Sequence, residues 1–222
     1  HGFSNLQITL LLSSFFLSTT LAEVPTGIFS DRHGHKKAMV LCNLLQAVGV
    51  FLLAYPETLL VAIVGEVLMG IGQAFYTGSK EAYLFNTLEA DQVSERYQRE
   101  YGQSKLFEFV GMGVAALIGG SVYIFSGRLP FFFSAIAFLA AAIVAMTLEE
   151  PSRKKGQSPQ GVQSLLLGMR EIRSGPKNLK ALIAFYSLLF TVILIFIVTL
   201  IQPYLKEVGV PIRYFGLVFL FF

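Results

Sequence analysis

One apolar stretch of the sequence carries a regular row of polar and small side chains. Its members recur at spacings of four, three, four and three residues: Glu66, Gly70, Gln73, Thr77 and Lys80. This spacing predicts one face of a single α-helix. An ionised acid deep in a bilayer costs roughly 2.5–3.5 kcal/mol, so Glu66 needs a cavity, a partner or a proton. Proton coupling is one interpretation of Glu66, and a structural hydrogen bond to a neighbouring helix is the other.

Further polar groups lie in other apolar stretches. Glu108 either forms an ion pair with Lys80 or belongs to an exposed pair of little energetic value at the membrane edge. Tyr186 either lines a substrate path or makes a packing hydrogen bond. The candidate residues for proton coupling or a substrate path are therefore Glu66, Gln73, Lys80, Glu108 and Tyr186.

The sequence contains no pattern that is typical of an enzyme. No nucleophile–base pair or phosphate-binding loop occurs, and Gly70-Ile71-Gly72 lacks the third glycine of a dinucleotide site. His33 and His35 offer only two metal ligands, and we interpret them as solvated substitutes for basic residues. Cys42 is the single cysteine and excludes an intrachain disulfide. We expect no catalytic residue, no cofactor and no metal.

The composition indicates that lipid surrounds these stretches. Hydrophobic residues make up 54% of the 222 residues and charged residues 14%, with a mean hydropathy of +0.63, whereas soluble domains carry about 25% charged residues. The apolar runs of about 20 residues match helices that cross a core of about 30 Å. A soluble enzyme, a disordered regulator and a nucleic-acid-binding module are excluded, and an all-α integral membrane protein is predicted.

Six membrane spans and the beginning of a seventh are predicted. They are helices because a lone segment in lipid must satisfy its own backbone hydrogen bonds. The predicted spans are residues 6–22, 38–55, 59–77, 106–125, 130–148 and 182–202, and the seventh begins at residue 215.

The basic residues predict the orientation of these spans. The connections after the first, third and fifth spans contain thirteen of the 17 lysines and arginines, and such residues are retained in the cytoplasm. The loops at 27–37, 86–105 and 149–180 are therefore predicted to be cytoplasmic. The first span then runs inward, so a span is expected before residue 1. Because the chain begins at His1 and ends within an apolar segment, we expect it to be a piece of a longer protein.

The first cytoplasmic connection has the most specific pattern. Residues 27–37 read Gly-Ile-Phe-Ser-Asp-Arg-His-Gly-His-Lys-Lys. This segment resembles the signature between the second and third helices of the major facilitator superfamily, Gly-x-x-x-Asp-Arg-x-Gly-x-Lys/Arg-Lys/Arg. The matching residues are Gly27, Asp31, Arg32, Gly34, Lys36 and Lys37. An ordinary positive-inside loop is the alternative.

The resemblance implies an architecture and a role for this segment. Members of the family have two six-helix bundles that rock around a central site, and the signature aspartate helps to latch one state. The resemblance suggests that Glu23 joins the network of Asp31. Gly27 would allow a close approach to a neighbouring helix, and Gly34 would relieve strain in a tight turn.

The resemblance covers family helices two to seven and the start of eight. Residues 75–88 resemble a bacterial, drug-efflux-like branch. Two departures weaken that assignment: many drug antiporters carry arginine at the position aligned with Glu66, and residues 111–120 lack a Gly-Pro pair. We interpret Gly111, Ala115 and Gly119 as a close-packing seam.

These inferences combine into one prediction. Residues 1–148 form an N-terminal half-bundle without its first helix, residues 149–180 a cytoplasmic linker with an amphipathic helix, and residues 181–222 the start of a second bundle. The expected activity is proton-coupled efflux of a small amphipathic compound by a monomeric, multi-pass transporter in the cell membrane, without a nucleic-acid partner. A non-transporting scaffold, a gene fragment and a multi-span receptor are the alternatives.

Overall fold

The computed structural model describes residues 3–151, 175–195, 201–211, 214, 215 and 218. These residues contain helices and no strand, which confirms the predicted all-α class. The chain divides into two compact units. The first comprises residues 1–107 and 126–161, and the second comprises residues 108–125 and 162–222.

Helices build both units. In chain order they are α1 (Asn5–His33), α2 (His35–Ala54), α3 (Leu59–Ala90), α4 (Tyr97–Phe125), α5 (Leu129–Thr147), α6 (Lys177–Ile195) and α7 (Ile201–Glu207). In the first unit, α2 packs against both α3 and α5, and α1 packs mainly against α3. The helices α2 and α3 therefore form the centre of this unit.

Five helices in the described part of the chain are long and apolar enough to cross a membrane. They cover Leu6–His33, His35–Ala54, Leu59–Ala90, Ser94–Phe125 and Leu129–Thr147. These helices correspond to the first five predicted spans.

The later predictions fall largely outside the described residues. Helix α6 covers part of the predicted span at 182–202. The predicted amphipathic helix, most of the linker at 149–180 and most of the seventh span lie outside the described ranges.

The helices extend beyond the predicted spans, and two predicted loops are largely helical. The segment 27–37 is helical except at Gly34, and the segment 86–105 leaves the α-helix only at residues 91–96. Helix α3 has 32 residues, which is about 48 Å at 1.5 Å per residue, whereas the hydrocarbon core needs only about 30 Å. Hydropathy predicts only the apolar part of a helix. The helix itself continues through the flanking polar residues until a residue leaves the helical backbone conformation.

The observed helix ends lie at such changes. Gly34 has a φ of +99° and Gln92 a φ of +59°, and both values lie in the left-handed region that ends a helix. At the other ends, Ser4 and Thr58 cap α1 and α3 by accepting hydrogen bonds from backbone N–H groups, each at 3.3 Å.

The first unit has its apolar core where α1, α2 and α3 meet. Ala38, Cys42 and Phe75 are buried there. The ring of Phe29 from α1 meets the ring of Phe75 from α3 edge to face, with centroids 5.5 Å apart. The core thus lies directly beside the signature segment.

Helices α2 and α3 approach each other through glycines. A Cβ atom built on Gly49 would lie 2.6 Å from the carbonyl oxygen of Gly65, and one built on Gly65 would lie 2.9 Å from that of Gly49. A side chain at either position would force the backbones apart, so only glycine permits this packing. On the same side of α3, a Cβ built on Gly72 would lie 3.0 Å from the carbonyl oxygen of Cys42.

The predicted seam on α4 is not where this close packing occurs. In the described part of the chain, no heavy atom outside the backbone of α4 itself lies within 4 Å of a Cβ built on Gly111 or Gly119. The reason is that spacing by four only places small residues on one face, and the neighbouring helix decides whether that face packs.

The C-terminal end of α2 and the N-terminal end of α5 meet in an aromatic cluster. The Arg128 guanidinium lies 4.6 Å from the centroid of the Tyr55 ring. Phe132 packs edge to face against Phe51 and Tyr55, with centroid distances of 5.8 and 5.5 Å. These contacts fix the start of α5 against the end of α2.

The glycine contact predicts a selective loss of stability. Gly65→Ala places a methyl group against the backbone of α2, which typically costs about 1–3 kcal/mol, so we expect a lower Tm for the purified protein in detergent. Gly78→Ala in the same helix is the matched control, because no described heavy atom lies within 4 Å of its Cβ. Equal Tm values for the two variants would contradict the assigned α2–α3 packing.

Candidate functional site

The signature segment is a junction of two helices joined by one residue. Helix α1 ends at His33, and α2 begins at His35. The intervening Gly34 is buried, has a φ of +99°, and donates its backbone N–H to the Ser30 carbonyl oxygen at 3.0 Å. Any other residue would be strained at this φ value, so glycine is required for the chain to turn within one residue.

The carboxylate of Glu150 closes this junction. The backbone N–H groups of His35 and Lys36 donate to Glu150 Oε1 and Oε2, each at 2.8 Å. The first N–H groups of a helix have no partner within the helix and carry partial positive charge, so an anion is favoured there. The sequence pattern placed Glu150 only in the linker and did not indicate this role. Its signal in the sequence is the pair of acidic residues, Glu149 and Glu150, that follows the fifth span.

The charged members of the signature lie around this junction. Asp31, Arg32 and Lys37 are exposed, and Lys36 is partly buried. Glu23 is also exposed on α1, and its position eight residues before Asp31 corresponds to about 12 Å along the helix. The two carboxylates therefore lie at different levels of α1, and the predicted shared network is not a direct contact between them.

Gly27 does not make the predicted close approach within the described residues. Apart from the helix's own backbone, no described heavy atom lies within 4 Å of a Cβ built on Gly27, whereas α1 and α3 do approach closely at Gly70. The expectation for the histidines is half right. His33 is exposed and stacks on Phe29 at 4.4 Å, whereas His35 is buried because the capped first turn of α2 packs inward.

A buried pair of serines ties α1 to α3 near the junction. The hydroxyl groups of Ser30 and Ser79 share a hydrogen bond of 2.9 Å, and both residues are almost fully buried. Ser30 also donates to the Thr26 carbonyl oxygen at 2.8 Å. This pair was not predicted; its signal in the sequence is the small polar residues Thr26 and Ser30, which are spaced by one helical turn.

The predicted polar face of α3 contacts α1 at its middle. Gly70, in the middle of the face, packs against the side chain of Ser18 and the backbone of Phe15. Glu66 and Gln73 lie on either side of this contact and are partly buried. The face thus keeps an ionisable group and an amide beside a helix–helix contact.

Lys80 ends this face. Its Nζ atom donates to the Tyr76 hydroxyl at 2.8 Å and lies 5.1 Å from the centroid of the Tyr76 ring. The tyrosine thus stabilises the ammonium group by a hydrogen bond and a cation–π contact. Lys80 belongs to the first unit, whereas Glu108 begins the second, so their ion pair stays a prediction.

Tyr186 lies on α6 in the second unit. Its side chain is 61% exposed, and its ring meets that of Phe185 at 5.9 Å. Its role on a substrate path also stays a prediction.

An open cavity of about 660 Å³ lies between the end of α3 and the start of α4. Two carboxylates, Glu81 and Glu95, line it together with the rings of Phe85 and Tyr97. Tyr101 donates its hydroxyl proton to Glu81 at 3.1 Å. None of the predicted site residues lines this cavity.

Within the described ranges, no three histidine, cysteine or acidic residues are grouped to hold a metal ion.

Several curated proteins are similar to this chain. An uncharacterized MFS-type transporter of Methanocaldococcus jannaschii is 28% identical over 151 residues, which are 67% of this chain and 38% of that protein. Multidrug resistance protein 1 of Bacillus subtilis is 28% identical over 152 residues, or 68% of this chain and 38% of that protein. Sugar transport protein 10 of Arabidopsis thaliana is 28% identical over 82 residues, or 37% of this chain and 16% of that protein.

The matches therefore span about two fifths of the length of the first two relatives. No solved structure matches the chain significantly.

The family assignment rests on the whole chain. The sequence model of the Major Facilitator Superfamily matches residues 1–222. Members of this family are transporters rather than enzymes, and the five apolar helices agree with a multi-pass membrane protein. Together with the signature junction at Gly34, the match over all 222 residues means that this chain belongs to the Major Facilitator Superfamily.

Proposed function

We propose that the protein containing this chain is a secondary active transporter that exports a small amphipathic compound across the cell membrane in exchange for protons. The observation that carries the transport proposal is the family match over residues 1–222. Two features of the first unit support the finer proposal: an acid on an apolar membrane helix and a charged junction between two helices.

The proposed cycle is alternating access between two bundles. Residues 1–148 would form the N-terminal half-bundle and residues 181–222 the start of the second, with residues 149–180 as the linker. The signature junction would lie on the cytoplasmic side, because the basic connections predict that orientation. The protein would act as a monomer.

Glu66 is the proposed proton-coupling residue. It lies about seven residues, or roughly 10 Å, inside α3 from the helix start at Leu59. An acid at this depth is more stable when neutral, whereas access to water favours its ionised form. Glu66 would take up a proton while the pathway is open to the side with more protons and would keep it during closure. Opening to the other side would release it. Gln73 and Lys80 would extend the polar path along the same face of α3.

Asp31 is the proposed latch residue. It is exposed and lies in the last turn of α1. The free backbone carbonyl groups at this C-terminal end of the helix carry partial negative charge. A carboxylate at this end is disfavoured by its own helix and gains from a positive partner. A helix N-terminus or a basic side chain of the second bundle would be such a partner in one state of the cycle.

The proposed substrate class and direction come from the relatives. Multidrug resistance protein 1 of Bacillus subtilis matches 68% of this chain, and its name supports the efflux of an amphipathic compound. Sugar transport supplies the second candidate function, because Sugar transport protein 10 of Arabidopsis thaliana matches 37% of the chain. Efflux is preferred because the multidrug resistance protein matches a larger part of this chain than the sugar transport protein does.

The coupling proposal predicts that Glu66→Gln abolishes flux driven by a pH gradient in proteoliposomes. The rate should fall to that measured without a gradient, because glutamine cannot exchange a proton. Substrate exchange at equal concentrations should persist, since glutamine resembles the protonated acid. Glu57→Gln is the matched control, because it removes an exposed carboxylate just before α3. Unchanged gradient-driven flux in Glu66→Gln would refute the assignment.

The latch proposal predicts that Asp31→Asn lowers turnover more than it weakens substrate binding. A charge at a helix end contributes about 0.3–1 kcal/mol, so we expect turnover to fall roughly twofold to fivefold. The measurements are the rate at saturating substrate and the substrate Kd. Asp91→Asn serves as control, because Asp91 is an exposed aspartate at the end of α3. A change in Kd with unchanged turnover would contradict the latch.

A further inference from the structure

Two consecutive residues after α5 form hydrogen bonds with other helices of the first unit. Glu150 accepts hydrogen bonds from the backbone of His35 and Lys36 at the start of α2, each at 2.8 Å. The carbonyl oxygen of Glu149 accepts a hydrogen bond from the Tyr83 hydroxyl on α3 at 2.7 Å. The end of α5 is therefore attached both to the signature junction and to α3.

The fit between Glu150 and Gly34 is close. A Cβ atom built on Gly34 would lie 2.7 Å from Glu150 Cδ and 2.8 Å from both carboxylate oxygens. The carboxylate thus occupies the space that a side chain at position 34 would need. The φ of +99° requires glycine at position 34, and a side chain there would in addition displace the Glu150 carboxylate.

These contacts give Glu150 control over the geometry of the signature. Asp31 and Arg32 lie at the end of α1, and Lys36 and Lys37 lie at the start of α2, so their arrangement depends on the turn at Gly34. A carboxylate that binds two successive N–H groups fixes the direction of the first turn of α2. The residue that fixes this direction is attached to α5, which also packs along α2.

We propose that Glu150 is a positioning residue for transport: its carboxylate holds the Gly34 junction in one arrangement, so that the charged signature residues engage and release productively. The inference rests on the proposed transport function. It adds a residue outside the signature that transmits the position of α5 to the junction.

The first experiment measures the junction itself by hydrogen exchange in the full-length protein. Removal of a helix cap costs about 0.5–2 kcal/mol, which corresponds to roughly twofold to thirtyfold in local opening, so Glu150→Ala should speed amide exchange at positions 35 and 36 by about that factor. Glu149→Ala is the matched control, because the described hydrogen bond of Glu149 uses its backbone carbonyl oxygen. Equal exchange in both variants would overturn the proposal.

The second experiment measures transport in proteoliposomes. Glu150→Ala should lower kcat at least about twofold, the lower limit for loss of a cap, and leave KM unchanged. Glu150→Gln retains one acceptor oxygen and should restore part of the rate. Faster exchange with the kcat of Glu149→Ala would show a purely structural role and overturn the proposal.

A double-mutant cycle tests the direct contact. Gly34→Ala should lower kcat by a larger factor in the wild-type background than in Glu150→Ala, because the second change removes the atoms that the new methyl group meets. Independent, multiplicative losses would overturn the contact. If the wild-type protein transported no compound, the proposed function would fail, whereas the exchange experiment would still decide whether Glu150 holds the junction.

Discussion

The turn at Gly34 sets the constraint on which the first unit depends. Two long helices meet there with one residue between them, so the N–H groups of the second helix must find acceptors outside it. The Glu150 carboxylate supplies two of them. Because that residue follows α5, the turn between α1 and α2 is completed only when α5 lies in place. A local backbone requirement thus becomes a constraint on the packing of the whole unit.

The packing around α3 also depends on small residues that let helices approach closely. Gly49 and Gly65 bring the backbones of α2 and α3 together, and the hydrogen bond between Ser30 and Ser79 joins α1 to α3. In lipid such contacts hold helices together by close packing and buried hydrogen bonds, since apolar burial gives little advantage there. The result is a frame that carries Glu66 on one helix and the signature charges on its neighbours.

The sequence predicts the features that depend on local composition. Five spans follow from runs of apolar residues, and the signature follows from its spacing of glycine and charge. The helix ends are different, because a polar segment such as 27–33 stays helical in water when no residue breaks the helix. The hydrogen bond between His35 and Glu150 joins residues that are 115 positions apart. Nothing in the local sequence pattern distinguishes the carboxylate of Glu150 from that of Glu149. The close contact between Gly49 and Gly65 likewise depends on which helix lies beside which, and the sequence pattern does not specify this.

The orientation of the Gly34 junction is the central claim, because the latch and the coupling direction both depend on it. Position 34 is buried against Glu150, so the test uses the exposed residue Lys37. In a Cys42→Ser background, Lys37→Cys should react with a membrane-impermeant maleimide only after the cells are permeabilised. Glu57→Cys, in the connection between α2 and α3, should react in intact cells. Labelling of Lys37→Cys in intact cells would contradict the account.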